Sequence, residues 1–266
     1  MAHPIARTLI AVEGPEARAF LQNLLTQDID RLDREACDYA ALLSPQGKVQ
    51  ADMFVWRDGE TVVLDIDPAR GADVLRRLSL YKLRAAVTLR EVSAERGVWV
   101  SEAPFDGAVS DPRMPALGWR GLGVAHASDE GAPALRRRQI TLGVPDLTRD
   151  AGPEEVFALE ALLEELNGVA FHKGCFVGQE NVSRMKRRAT TRKKFCPVSF
   201  EGPPPPFGTP VLADGAEIGS VRTGGPGRAL ALLRLDRALA ARALTIGVTN
   251  VRLDPPPWLL LPSAQA

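Results

Sequence analysis

The chain has 266 residues, more than a single hydrophobic core usually serves, so it should divide into two or three packed units. Lys plus Arg and Asp plus Glu are 33 each, so no overall field draws the protein to nucleic acid or a membrane surface, and any such preference has to be local. The 45% apolar and 25% charged residues make a globular composition and exclude a disordered one.

Three cysteines, Cys37, Cys175 and Cys196, are odd in number and widely spaced, which suits neither a disulfide framework nor a zinc ribbon and points to a reducing compartment. The opening MAHPIARTLIAVEG has no charged leader ahead of an apolar core, and no run approaches the roughly 20 apolar residues that cross a bilayer. The expected location is the cytoplasm.

Arg7 to Val12 reads as a strand, stopped by Gly14-Pro15, and the next helix carries Phe20, Leu21, Leu24 and Leu25 on one face. Tyr39 to Asp65 reads as three short strands, separated by the turn chemistry of Ser44-Pro45-Gln46-Gly47 and Asp58-Gly59. Asp67-Pro68 caps a second helix with Val74, Leu75 and Leu78 inward, and Val87 to Val92 returns as a strand. This β-α-β-β-β-α-β order predicts an α+β sandwich. Val98 to Asp146 yields strand-like pieces, a basic run at Arg136-Arg137-Arg138 and a turn at Gly143-Val144-Pro145. Pro153 opens a predicted helix through Leu166, with Val156, Leu159, Leu162 and Leu163 inward and Asn167-Gly168 closing it. After KGCFVGQE, Lys173 to Glu180, the composition of Gln179 to Arg188 predicts a further helix. Short strands with glycine turns, broken by a Pro-rich stretch from Gly202 to Phe207, continue to Trp258 as a small barrel. The expected domains are residues 1–95, 96–190 and 191–266.

The octapeptide carries the chemistry. A thiol at Cys175, ahead of a helix N-terminus and beside the Lys173 ammonium, is favoured as the thiolate, the reactive and metal-binding form. Gly174 and Gly178 admit backbone geometries closed to other residues and leave room for a ligand, and His172 is near enough in sequence to assist with a proton. On spacing alone, a buried inert cysteine beside a surface histidine is the plainer reading. Cys37 and Cys196 read as core residues. The basic stretch Arg184 to Lys194 suits phosphate, the carboxylates of a polyglutamyl tail, RNA or simply a solvated helix face. Trp119 suits stacking on a flat ring or filling a domain seam.

KGCFVGQE resembles the K-G-C-[aromatic]-x-G-Q-E signature of the YgfZ family and its mitochondrial relatives, the IBA-type iron-sulfur assembly factors, at every fixed position. The resemblance extends to FLQNLLTQDI at Phe20 to Ile29, ALLSPQGKV at Ala41 to Val49, YKLR at Tyr81 to Arg84 and ALALLRLD at Ala229 to Asp236. It implies a three-part ring of the T-protein (GcvT/YgfZ-like) kind, with ferredoxin-like α/β subdomains and a small C-terminal β-barrel. It also implies a tetrahydrofolate-dependent accessory role in making or repairing [4Fe-4S] enzymes, with an indirect effect on tRNA modification. Cys175 takes the place of the family's essential cysteine, with Lys173 as its charge partner. Asp52 matches the acidic residue beside the folate N5-N10 region, and Trp119, Gly174, Gly178, Gln179, Glu180 and Arg184 are the expected neighbours of a folate and its polyglutamate tail. Gly118 to Gly123 does not reproduce the T-protein's pterin-holding segment. A cluster would be carried only transiently, through Cys175, with an A-type assembly protein as partner and iron-sulfur enzymes as clients. The expected protein is a monomer that binds neither membrane nor nucleic acid directly. A folate-dependent aminomethyltransferase and an RNA-binding module stand as alternatives.

Overall fold

The computed structural model describes residues 1–188 and 191–261, so the boundary drawn at residue 190 and residues 262–266 of the third expected domain lie outside the described residues. Strand β1 (His3–Ile5) is followed by β2 (Thr8–Glu13), α1 (Ala17–Gln22), β3 (Cys37–Leu43), β4 (Val49–Asp58), β5 (Thr61–Ile66), α2 (Pro68–Lys82) and β6 (Thr88–Glu91). Strands β2 to β6 form one antiparallel sheet in the order β3-β4-β5-β2-β6. Gly14 ends β2 with φ +112°, where a Cβ would collide with the Ala86 carbonyl. Asp67 caps α2 by accepting from the Ala69 N–H at 2.9 Å.

Because side chains alternate along a strand, this sheet has two different faces. Ile10, Val12, Met53, Val55 and Leu64 pack with α1 and α2 in a core of their own. Leu9, Tyr39, Phe54, Trp56 and Val63 face the middle of the molecule and join its larger core. Asp52 and Asp65 share the parity of Phe54 and Val63, so both carboxylates point into the seam between units.

The second unit holds β7 (Arg96–Ser101), β8 (Val109–Ser110), β9 (Trp119–Val124), α3 (Ala132–Leu142) and α4 (Leu147–Asp150). Its sheet runs β1-β7-β9-β8, so the first strand of the chain belongs here, away from the strands that follow it. Helix α3 is missing from the sequence reading. It buries only Ala132 and Gln139, which leaves no apolar stripe, and its sharpest signal is Gly143 in the left-handed C-cap, φ +76°. The helix predicted from Pro153 to Leu166 is instead a series of turns. Glu154 and Leu162 have φ +60° and +61°, and Leu163 and Gly168 donate to carbonyls five residues back, Ala158 and Leu163. The inward Val156, Leu159, Leu162 and Leu163 are nonetheless buried, so periodicity located the core contact and misjudged the backbone.

Helix α5 spans Gln179–Arg188, the range its composition predicts. The C-terminal unit is a closed barrel, β10-β13-β12-β11-β14-β15, built from β10 (Lys193–Ser199), β11 (Pro210–Ala213), β12 (Ala216–Gly225), β13 (Arg228–Arg234), β14 (Leu244–Ile246) and β15 (Thr249–Leu253), with the short α6 (Leu235–Ala238) between β13 and β14. The expected α+β body with a small C-terminal barrel is the fold observed. Among the described residues no helix is long and apolar enough to cross a membrane.

Candidate functional site

Three of the sequence strings singled out above meet in space. Thr26, buried after α1, donates from Oγ1 to the Gly168 carbonyl at 2.5 Å, accepts there from the Ala41 N–H at 2.8 Å and takes the Ala170 N–H on its carbonyl at 3.0 Å. Val177 N–H donates to the Asn23 carbonyl at 3.2 Å, and Asn181 Nδ2 donates to the Gln46 carbonyl at 2.7 Å. Gly178 packs against the β3–β4 turn with φ +83°, where a Cβ would lie 2.7 Å from the Ser44 carbonyl. The octapeptide is thus clamped between the segment after α1 and the turn at Ser44 to Lys48.

Within that clamp, Lys173 and Phe176 point inward and Gly174 and Cys175 point out. Lys173 Nζ donates to the carbonyls of Leu25 and Gln27 at 2.8 and 2.7 Å, and burial pulls its pKa down to about 8. This corrects its expected role: the ammonium is spent on backbone carbonyls inside the protein, and its task is to anchor the loop. Cys175 is exposed, whereas Cys37 and Cys196 are buried, as expected for core residues. Burial pushes the Cys37 thiol well up and the Cys196 thiol up to about 12, which makes both poor thiolates. His172 is exposed, Gln179 and Glu180 open α5, and a Cβ on Gly174 would meet open space. Arg184 bonds to Asn181 Oδ1 at 2.5 Å. Of the basic stretch, Lys186 pairs with Glu164, and Lys194, buried, pairs with Glu165 at 2.5 Å, so part of the charge is used within the fold.

Asp52 stands in a different environment, the seam between the first two units. Tyr39 Oη donates to its Oδ2 at 2.9 Å, and burial with the nearby Asp146 raises its pKa. Around it runs a buried charge network that sequence reasoning missed. Arg120 pairs with Asp65 at 3.0 Å and Asp111 at 3.5 Å, Arg113 forks onto Asp111 at 3.0 and 2.8 Å, and Arg7 pairs with Asp65. The guanidiniums of Arg113 and Arg120 lie over the Phe54 ring, 4.9 and 3.2 Å from its centroid. Burial opposes the Asp111 charge, but Arg113 and Arg120 outweigh it and hold that carboxyl below its usual range.

This packing disagrees with the expected folate contacts. The cavity touching Asp52 holds about 10 Å³, room for roughly one water, where drug-sized ligands occupy about 300–1,000 Å³. Trp119 precedes Arg120 on β9, so the pleat turns its ring to the opposite face from the guanidinium that reaches Phe54 and Asp65. Arg184 belongs to a helix docked at Gly47; at about 3.3 Å per residue, roughly 16 Å of strand separates that turn from Asp52. The expected folate residues therefore do not converge: Asp52, Trp119 and the octapeptide with Arg184 stand apart, and the cavity of about 10 Å³ that touches Asp52 does not fit a bicyclic ring.

The fold matches the solved glycine cleavage system aminomethyltransferase T from Bartonella henselae with a TM-score of 0.75, over 97% of this chain and 86% of that one, at 15% identity, a likeness of fold alone. Residues 7–99 match the GCVT N-terminal domain and residues 192–260 the C-terminal beta-barrel domain of CAF17. These define a GcvT-like protein with a CAF17-type barrel. The chain is 32% identical to the human iron-sulfur cluster assembly factor IBA57, mitochondrial, covering 85% of this chain and 75% of the relative, and 30% identical to the mouse protein over 86% and 75%. The Mycosarcoma maydis homolog is 32% identical over 75% of this chain, which spans 57% of that relative. The chain belongs to the IBA57 family. These relatives are named as mitochondrial proteins, which overturns the cytoplasmic placement expected from the sequence.

Proposed function

We propose that this protein is an iron-sulfur cluster assembly factor of the YgfZ type, in which Cys175 presents one thiolate to a cluster carried as cargo. The observation that carries the reading is the contrast within one loop: Cys175 is exposed between Lys173 and Phe176, which are buried and tie it to the rest of the fold. Such bracing holds a ligand in place without enclosing it, as a site shared with a second protein requires. A conventional cluster takes about four protein ligands, usually cysteines. The other two thiols are buried, so the remaining positions fall to a partner, an A-type assembly protein, with [4Fe-4S] enzymes as clients and any effect on tRNA modification indirect.

The fold also belongs to aminomethyltransferases, but the seam around Asp52 is filled by Arg113, Arg120 and Phe54, and no folate step enters this proposal. The test is anaerobic reconstitution with an A-type protein. A visible cluster spectrum that co-elutes with the complex is expected for the wild-type chain and is lost with Cys175→Ala, and a deletion strain regains [4Fe-4S] enzyme activities only with the wild-type gene. A stoichiometric cluster on the isolated wild-type chain, surviving gel filtration, would overturn the shared-site reading.

A further inference from the structure

Helix α5 has two faces that differ in charge and in use. Val182 is buried, Met185 packs on the larger core, and on the same side Lys186 pairs with Glu164 and lies over the Phe171 ring. With about 3.6 residues per turn, Arg184, Arg187 and Arg188 fall at i, i+3 and i+4 on the opposite side. All three are exposed.

This stripe holds charge that the fold does not use. Arg184 donates to Asn181 Oδ1 at 2.5 Å and Arg187 Nε to the Ser183 carbonyl at 3.4 Å, both uncharged acceptors on the same helix. Among the described residues none of the three pairs with a carboxylate, although Glu180, the acid of the helix, stands one turn before Arg184 on the same side, and the neighbouring Lys186 does find one. Like charges at i and i+4 repel, and the helix dipole offsets this only in the last turn, which holds Arg187 and Arg188 but not Arg184. On a chain with no net charge, such a stripe is a local field.

The helix is braced together with the cargo loop. Asn181 and Gly178 fasten its first turn to the β3–β4 turn, and the exposed Cys175 stands shortly before Gln179. Arg184 lies about 8 Å along the axis from Gln179, at roughly 1.5 Å per residue. An ordinary protein interface covers about 800 Å² per partner, a patch roughly 30 Å across, enough to span both.

We propose that the Arg184, Arg187 and Arg188 face of α5 docks an acidic surface of the protein that completes the cluster site, an inference that rests on the shared-site reading of Cys175. Guanidiniums suit carboxylates because their forks of N–H donors match both oxygens, and exposed charges of this kind steer encounter and fix orientation more than they add to final affinity. Docking precedes and orients the transfer, and the thiolate then meets a cluster already in register. A single-stranded nucleic acid would also answer the charge, but its bases stack on aromatic platforms, and α5 has no aromatic residue. A lipid surface needs an apolar face beside the basic one, and the apolar residues of α5, Val182 and Met185, are turned to the core.

The test measures association of the full chain with the A-type protein, both free of cluster, at about 50 and 500 mM salt. Arg184→Gln, Arg187→Gln and Arg188→Gln together should weaken binding about tenfold at low salt, mainly through the association rate, and less than about twofold at high salt. The melting temperature should hold, because glutamine keeps the helix propensity. Arg237→Gln, Arg242→Gln and Arg252→Gln together remove as much charge from exposed positions of the barrel unit and should leave docking unchanged. Absence of a salt-sensitive complex, docking unaltered by the α5 variant, or an equal loss in the barrel variant would each overturn the proposal. So would an α5 variant that loses binding to RNA or to phosphatidylserine vesicles while docking stays intact. A cluster shared by the wild type, with docking indifferent to the arginines, would remove this inference and leave the Cys175 reading. Arginine-dependent docking without any shared cluster would do the reverse.

Discussion

Lys173 Nζ lies 2.7 Å from the carbonyl of Gln27, so the octapeptide carrying Cys175 is fastened by a buried ammonium to the segment that follows α1. Those residues are far apart in sequence, and the bond explains why two strings separated by most of the chain recur together in one site.

Replacing Lys173 with Met should cost about 2 kcal/mol, because the carbonyls of Leu25 and Gln27 are left without a donor. The pH dependence has a definite sign. The folded state releases the Lys173 proton near pH 8, whereas the unfolded chain holds it to the ordinary 10.5. Between those values the unfolded state binds more protons, so stability rises with pH. Denaturant melts from pH 7 to 10 should show this rise in the wild type and its loss in Lys173→Met. The same variant should be cut faster by protease between residues 169 and 178.

Asp65 answers two arginines at once, Arg7 and Arg120, in the seam that closes around Asp52. Asp65→Ala should therefore destabilise by about 3–5 kcal/mol, since it strands buried guanidiniums. Asp33→Ala removes the exposed partner of Arg18 and should change stability by less than about 1 kcal/mol. Urea midpoints compare the two, and an equal effect would mean the seam network carries no special weight.

Asp150 fastens α4 to the barrel, accepting from Thr223 N–H at 2.9 Å and Thr223 Oγ1 at 2.7 Å, and from Asp146 N–H at 2.8 Å. Burial raises its pKa to about 6, against 3.8 unfolded. The folded state takes up this proton first, so the Asp150 contribution makes the protein more stable as pH falls from about 7 to 4, by up to about 3 kcal/mol. Other carboxyls, Asp111 among them, are held low and act in the opposite sense. The measurement is accordingly the difference in unfolding free energy between wild type and Asp150→Asn, which should widen in favour of the wild type as pH falls.

The first unit was legible because each of its signals is local: turn residues at Ser44 to Gly47, a cap at Asp67 and alternation along β3 to β5. The octapeptide and the range of α5 were legible for the same reason. The Arg7–Asp65–Arg120–Asp111–Arg113 chain was not. Arg7, Asp65 and the stretch from Asp111 to Arg120 are far apart in sequence, and a lone arginine reads as a surface charge until the fold buries it. The stretch from Pro153 to Leu166 failed differently, because a buried leucine pattern is satisfied by any backbone that returns those side chains to the core, including one broken by Leu162 at φ +61°.

The glycines of the octapeptide give a paired test of the clamp around Cys175. Gly178 has φ +83°, and an added Cβ would lie 2.7 Å from the Ser44 carbonyl and 3.0 Å from Gly47 Cα, so substitution meets both backbone strain and fixed main chain. Gly174 has no such φ, and its Cβ would meet open space. Gly178→Ala should lose about 2–3 kcal/mol and shift the start of α5 off the β3–β4 turn. Gly174→Ala should stay within about 0.5 kcal/mol of the wild type. If bracing of the loop matters for cargo, Gly178→Ala should also lose the cluster shared with an A-type partner at temperatures where circular dichroism shows it folded, while Gly174→Ala keeps it. Wild-type stability and cluster yield in Gly178→Ala would show that the clamp does not hold Cys175 in position.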